Sequence, residues 1–585
     1  MLAALVLAST APARGQDAAD ATAFSLERLL DITVVGASKY EQKQKDVAAA
    51  VSVITHQEIK AFGWRTLADA LASLPGVYTT YDRQYTYLGT RGFGLPGDFN
   101  TRLLLTIDGN RVNDGVFDQA YLGREFPLDI DLVERIEFIP GPGSAVYGQN
   151  AMFAVVNVVT RRGADVHGAE VSATYQAPQA FAKGRVSWGA RLDNGIDALV
   201  SASGLDAGGE DRLVDFGAAR VSGIAAGLDG ERDRELFASL SRGHWSSILS
   251  YGDRVKDDPL GTYLSDPLTK GQHQQDTHLL TQLQYQNAFA DDAVRLSGRA
   301  FLGQERYRAP FTFSGAPTLQ TGSSNWTGAD LSVLSTPRSG HKLLTGLEYQ
   351  ANTRQDQSYE DVTAPATDVT IPGSSWRAGV YAQDEWALRK TISATIGVRF
   401  DHKDGARSMS PRAGLIWNAT PTTVWKALYG RAHRSPNVFE RDFSYLNQVA
   451  NPALDGETID TLELVVDHRL ENGLSLRASA YSWTMEHLVT LGTDAVSGLA
   501  QYQNGGNITA RGLELSAAQA WGSGARVRGS VSYQHSRNAS GGSLLNSPAL
   551  LGKLNASGPL FETGLRLAYE LLYDSERDAL GNTHV

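Results

Sequence analysis

The residues with the clearest chemical potential lie in "PGPGSAVYGQNAMFAVVNVVTRRG", residues 140–163. Gly141, Gly143 and Gly148 follow an apolar run there, where a loop that cradles phosphate would stand. The details argue against phosphate. A Walker loop needs Gly-Lys-Ser/Thr ahead of a helix, and the stretch has no lysine. A dinucleotide fingerprint needs its third glycine three residues after the second, whereas Gly143 and Gly148 are five apart. Pro142 removes a main-chain donor in the middle of the loop. Val155, Val156, Val158 and Val159 then favour a strand where phosphate binding needs a helix. The glycines are therefore expected to serve a tight strand-to-strand connection.

The other reactive side chains are scattered. Of the 12 histidines, His273 and His278 stand five apart, which suits neither helical nor strand ligand spacing. Met485-Glu486-His487 follows a strand-like run and reads as an ordinary loop. Cysteine is absent, so neither a disulfide scaffold nor a thiolate metal site is available. No Ser-His-Asp arrangement, resident metal or cofactor is predicted, and an enzyme is not expected.

The elements around the glycine loop read as a compact α/β unit over 38–163. "THQEIKAFG" places Thr55 three residues before Glu58, a capping-box spacing, and stops at Gly63. "TLADALASLPG" sets Leu67, Leu71 and Leu74 on one helical face and ends at Pro75-Gly76. "RLLLTIDGNRV" is a hairpin pattern turning at Asp108-Gly109. "VERIEFIP" alternates, with Ile136 and Phe138 on one face and Glu137 on the other. Ahead of this unit, Leu2 to Ala8 forms a short apolar run and Ala11-Pro12-Ala13 has the small-x-small form of a signal-peptidase site. Residues 1–15 are thus expected to be an export signal, though the basic n-region is missing.

Bulk properties narrow the class further. The chain has 585 residues, 42% hydrophobic and 20% charged, with a net charge of -11 that disfavours nucleic acid. No apolar run reaches the length of a membrane helix, but a β-barrel crosses with alternating strands and needs none. From about residue 164 the texture is alternating. "ARVRGSVSYQ" puts Ala525, Val527, Val531 and Tyr533 on one face and Arg526, Arg528, Ser530, Ser532 and Gln534 on the other. "LSLRASAY" repeats the pattern, while in "WRAGVYAQDEW" Asp384 breaks phase. A soluble sandwich and a membrane barrel share this pattern and differ only in which face meets water. About 19 segments of spanning length over 164–585, and Trp376, Trp386 and Trp425 near strand ends, favour the barrel.

"AAAVSVITHQEI", "LADALASLPGV", "GTRGFG", "LLLTIDGNRVND" and "VERIEFIPGPGSAVYGQNAMFAVVNVVTRRG" resemble, in order, the plug-domain blocks of TonB-dependent outer-membrane receptors. "SPRAGLIWNATPTTVWKALYGRAHRSPNVFE", "NPALDGETIDTLELVVDHRL" and "NITARGLELSAA" resemble their barrel segments, so the likeness spans nearly the whole chain after the leader. It implies an all-β membrane fold: an antiparallel transmembrane β-barrel of about 22 strands when complete, with an N-terminal α/β plug in the lumen. The domains expected are an export signal over 1–15, a periplasmic segment over 16–37, the plug over 38–163 and the barrel over 164–585. The polar end "ERDALGNTHV" departs from the aromatic-ended closing strand of the family, and about three strands are expected to be missing.

The resemblance also implies a mechanism. In the family a short extended segment, the TonB box, adds as a strand to the periplasmic protein TonB, which pulls on the plug using the proton gradient. By position, Asp31, Ile32, Thr33, Val34 and Val35 are the candidate, since strand addition relies on main-chain bonds and tolerates varied side chains. Ligand is expected at the apical plug loops, on Tyr81, Arg83, Gln84, Tyr85 and Tyr87 and on Phe117, Gln119 and Tyr121, which offer flat faces and donors to an anionic chelate. Arg91, Gly92, Asp108, Gly109, Gly141, Gly143 and Gly148 are expected to be structural, Arg91 by holding the plug through carboxylates or carbonyls. The implied function is active import of a scarce metal complex, above all a ferric siderophore, by a monomer in outer-membrane lipid. Cobalamin, haem or a glycan is the alternative cargo, and a passive barrel the alternative class.

Overall fold

The computed structural model describes residues 33–579 apart from 96, 216–220, 446 and 562–564. The expected leader, and Asp31 and Ile32 of the candidate TonB box, lie outside the described residues. The amino-terminal part runs β1 (Thr33–Val34), β2 (Gln42–Lys43), β3 (Ser52–Thr55), α1 (His56–Phe62), α2 (Leu67–Ala72), β4 (Val77–Tyr81) and β5 (Thr86–Thr90). It continues through β6 (Leu103–Ile107), β7 (Asn110–Arg111), β8 (Val133–Pro140), α3 (Ser144–Tyr147) and β9 (Ala154–Thr160). Its five-stranded sheet has the order β3-β8-β9-β6-β7, antiparallel except for the β6–β9 pair.

Local chemistry sets these boundaries. Thr55 and Glu58 close a reciprocal capping box on α1, which ends at Gly63 in the left-handed region, φ 67°. Thr66 and Asp69 cap α2, whose Leu67 and Leu71 are fully buried. The β6–β7 turn places Asp108 and Gly109 at φ 48° and 77°, the doubly positive turn that matches hairpin twist. The connection from β8 to its antiparallel neighbour β9 is not a bare turn. Pro140 pairs with Ala154, and the residues 141–153 between them contain the single helical turn α3, started by Gly143. A Cβ on Gly143 would stand 2.5 Å from Val155, so close packing explains that glycine, whereas Gly141 and Gly148 carry positive φ.

Among the described residues, the remainder is built on one sheet of twenty strands, nineteen of them long, running from Gly168–Gln176 to Arg566–Asp574, each antiparallel to its neighbour. The twentieth, Val369–Ile371, is a short addition beside His341–Asp361. With an odd number of long hairpin-linked strands, the first and last point the same way, and among the described residues they share no pairing. Turns at one mouth are short, as between Arg242 and Trp245. At the other mouth, loops such as 487–507 carry hairpins of their own, there Val489–Thr493 with Ala500–Asn504.

The orientation of the alternating faces separates sandwich from barrel. On Arg526–Arg537, Val531 and Tyr533 are 53% and 56% exposed while Ser532 and Gln534 are 2% and 1% exposed. The apolar face looks outward and the polar face is covered by the plug. Water would reject that arrangement and lipid requires it. Trp376, Trp386 and Trp425 are outward near strand ends, as aromatic girdles of such barrels are.

Candidate functional site

Two ends of the plug matter, one under the long loops and one at the short-turn mouth. Under the long loops the sequence-predicted ligand residues divide. Gln84, Tyr85, Tyr87, Gln119 and Tyr121 are buried. The Tyr85 hydroxyl donates to Asp276 at 3.0 Å and the Tyr87 hydroxyl to Asp82 at 2.8 Å. Gln84 donates to the carbonyl of Asp257, and the Tyr121 ring meets His278 edge-on at 4.4 Å. Gln119 keeps a buried amide nitrogen without a partner. Tyr81, Arg83 and Phe117 stay accessible; Arg83 pairs with Asp229 of the wall and lies 5.7 Å from the Tyr81 ring.

Sequence reasoning missed most of what surrounds Phe117. Its ring contacts Phe99 at 5.5 Å, Tyr307 at 6.3 Å and Phe439 at 5.0 Å. The chain of rings goes on through Phe443 to Tyr359 and Tyr445, and through Phe439 to Tyr502. All but Phe443 are half-buried, so they form a mouth lined with flat faces rather than a closed core. The rings come from segments up to several hundred residues apart, and no local pattern joins them. Beneath them Asp114 accepts from the main-chain N–H groups of Val116, Phe117 and Gln119, each at 2.7 Å. Burial pushes its carboxyl up to about 7, against those bonds, which pull it down.

Midway down, cations of the plug meet carboxylates of the wall. Arg91, 1% exposed, donates to Glu463 and approaches Glu514 at 3.5 Å. Arg102 donates to Glu457 at 2.6 and 3.0 Å, and Glu457 also accepts from Arg434 at 2.6 Å. Gly92, at φ 83°, turns the chain just after Arg91. Asp108 accepts from Thr160, and the Asp108 and Gly109 carbonyls both receive Arg299 of the wall, at 2.9 and 2.6 Å. Gly148 passes the Arg399 guanidinium so closely that a Cβ would stand 2.9 Å from it. These residues fasten plug to wall.

At the short-turn mouth, Thr33 and Val34 pair with Lys43 and Gln42. Val34 is fully buried among Val47, Val51, Leu104 and Ile139. The Val35 and Gly36 N–H groups donate to Glu137, the latter at 2.6 Å, and Asn157 donates to the same carboxylate at 3.0 Å. Glu137 is 0% exposed, although its alternation in "VERIEFIP" placed it opposite the apolar face; the amino-terminal segment lies over that face and covers it. Among the described residues no group of three or more His, Cys, Asp or Glu is placed to hold a metal ion. His273 and His278, on one strand at odd spacing, face opposite ways.

This plug-in-cylinder geometry has counterparts. The TonB-dependent receptor-like β-barrel family matches residues 229–583, more than half of the chain, and the TonB-dependent receptor plug domain matches 43–155. The chain therefore belongs to the TonB-dependent receptors, which places it in the bacterial outer membrane. It is 25% identical over 476 residues to the iron-regulated outer membrane virulence protein of Vibrio cholerae, covering 77% of this chain and 67% of that one. Among solved structures, the alcaligin outer-membrane receptor of Bordetella pertussis aligns at 17% identity and TM-score 0.68, over 93% of this chain and 90% of that chain. The ferric enterobactin receptor of Pseudomonas aeruginosa, in complex with enterobactin, aligns at 17% identity and TM-score 0.72, over 91% and 88%. The shared architecture is that of transport receptors rather than enzymes.

Proposed function

We propose that the receptor imports a ferric siderophore, without catalysis, and that TonB grips residues 31–35 to drive the step. The observation that carries this reading is the placement of the two plug ends. An aromatic mouth and Arg83 face the long loops, and Thr33 and Val34 of the candidate TonB box lie at the opposite mouth. Long loops are extracellular in outer-membrane barrels, so ligand is met outside and force is applied inside. Half-buried rings and guanidinium groups suit a flat, anionic chelate. The names of the relatives, an iron-regulated protein and receptors for alcaligin and enterobactin, support iron as the metal. The exposed apolar band supports direct contact with lipid, and one chain forming its own lumen supports a monomer.

Energy must come from elsewhere because the outer membrane holds neither ATP nor an ion gradient. Residues 31–35 supply a strand for TonB, and Val34→Pro takes away a main-chain donor within it. The test is uptake of radio-labelled iron from a panel of ferric siderophores, with cobalamin, haem and a glycan as alternative cargoes. Energised uptake of one ferric chelate, lost on Val34→Pro and on adding a proton uncoupler, is the expected result. Uptake indifferent to both changes would refute energy coupling. Transport of cobalamin, haem or glycan alone would refute the siderophore assignment.

A further inference from the structure

The wall strands Val294–Phe313, Ala316–Ser335 and His341–Asp361 are 20, 20 and 21 residues long. About 10 residues suffice to cross the hydrocarbon of a bilayer, so these strands run on past it. Their outward side chains change along the way. Leu302, Leu331 and Leu347 face outward in the apolar band, 40%, 41% and 50% exposed. Four residues beyond Leu302, about 13 Å along the strand, comes Arg306, and then Arg308, which pairs with Gln275 next to the long loop 258–272. Hydroxyls hold the outward positions around them: Thr277, Thr321, Ser323 and Ser358.

The Arg306 guanidinium is held in place by uncharged acceptors. It donates to the carbonyls of Glu305 and Ser324 at 2.7 and 2.9 Å and to the Asn325 side-chain oxygen at 2.7 Å. Among the described residues no carboxylate stands within ion-pair distance of Arg306 or Arg308. A β-bulge brings in a third cation. Asn325 pairs with Arg354 and Trp326 with Asn352, which leaves Thr353 as the extra residue. Gln350 and Asn352 are buried on the lumen side, and unbroken alternation would send Arg354 the same way. The bulge turns it outward instead, beside the Asn325 that holds Arg306.

Few carboxylates oppose these cations. Asp356 pairs with Arg354 at 2.6 Å, and Asp253 already accepts from Gln275 and Thr277 at 2.8 and 2.7 Å. Elsewhere on the wall an outward arginine is cancelled by its neighbour, as Arg431 is by Asp460 at 2.7 and 3.0 Å.

We infer that Arg306, Arg308 and Arg354 bind the phosphate of an outer-leaflet glycolipid, whose acyl chains lie along the leucines below and whose sugar lies among the hydroxyls beside them. Guanidinium groups meet phosphate oxygens through paired N–H donors, which the point charge of a lysine does not offer. Arg306 is oriented before binding, so less freedom is lost when the phosphate arrives. A soluble anion would satisfy the arginines and make no use of the apolar band. Leucines, hydroxyls and cations following one another along the same strands match a lipid standing in its leaflet. The inference depends neither on the cargo nor on residues 31–35.

The test is native mass spectrometry of the full chain released from nanodiscs that hold a diphosphorylated lipid A-type glycolipid, its dephosphorylated form or phosphatidylglycerol. The wild type should retain the diphosphorylated glycolipid at least about tenfold more than either other lipid. Arg306→Gln with Arg308→Gln and Arg354→Gln should abolish that preference, and lysine at the same three sites should restore only part of it. Arg431→Gln should leave it intact. Equal retention of the phosphorylated and dephosphorylated glycolipids would overturn the inference on the wild type alone, whether or not any variant folds. Equal retention of phosphatidylglycerol would overturn it too, by showing a surface that takes any anionic lipid. So would undiminished retention by the triple glutamine variant at the wild-type melting temperature.

Discussion

The plug and the wall obey opposite rules of burial. In the plug, Leu67, Leu71, Leu105 and Ile136 are wholly buried in an apolar core, as in any soluble domain. In the wall, Val531, Leu513 and Leu462 face outward, while Ser532, Lys426 and Glu463 are covered. The difference lies in the solvent. The wall has lipid outside and a polar plug inside, so its strands put grease outward and hydrogen-bonding groups inward. The contact between the two parts is consequently rich in ion pairs and main-chain bonds, with an apolar strip where Trp483, Met485 and Ile508 of the wall join the plug core beside Phe93 and Phe153. A polar interface is firm when every group is paired and gives way when a few bonds are exchanged for water, which suits a plug that must stay shut and yet move.

Removing one partner from that interface should have the largest effect. Arg91→Ala leaves Glu463 and Glu514 buried beside an empty space and should cost about 3–5 kcal/mol of plug seating. Arg91→Ala combined with Glu463→Gln and Glu514→Gln should recover much of the loss. Thermal melting of the three-site variant against the single variant checks this, and equal melting would contradict a polar interface held by pairing. Next comes the lipid face: Val531→Arg should cost about 2–4 kcal/mol if that position lies near the bilayer midplane, measured by denaturation in bilayers. In the plug the effects are those of a soluble domain. Thr55→Ala should cost about 1 kcal/mol by removing the α1 cap, read as a lowered plug melting temperature.

A pH trend at the outer mouth sharpens the comparison further. The folded chain holds the Asp114 proton more tightly than the unfolded chain does, since burial raises its carboxyl to about 7. Its contribution to stability is therefore full below the ordinary carboxylate range and declines as pH climbs through about 7. Asp114→Asn should flatten the melting temperature between those limits; an unchanged slope would show that Asp114 is ionised throughout.

Much of the fold was legible because its signals are local. A capping box, an Asp-Gly turn and strict alternation are each written within a few residues, and Thr55, Gly109 and Val531 behave accordingly. Which face of the wall meets lipid was not legible in alternation, which is blind to solvent; the number of segments and the family resemblance supplied it. The one-turn helix α3 was also hidden, since four residues, Ser144 to Tyr147, carry no period. At the sites the limit is distance along the chain. Phe117 was read from its own loop, but Tyr307, Phe439 and Tyr502 join it only through tertiary structure. Lys426 escaped notice for a further reason: its partners are main-chain carbonyls, which no residue type announces.

The central claim is that one face of the wall lies against lipid and the other against the plug. The most direct test places a spin label in turn at residues 530 to 534 of the bilayer-embedded chain and measures relaxation by oxygen, which concentrates in lipid, and by a water-soluble nickel complex. Labels at Val531 and Tyr533 should respond strongly to oxygen, and labels at Ser530, Ser532 and Gln534 weakly to either agent. Strong nickel responses at Val531 and Tyr533, with no alternation along the strand, would contradict the account.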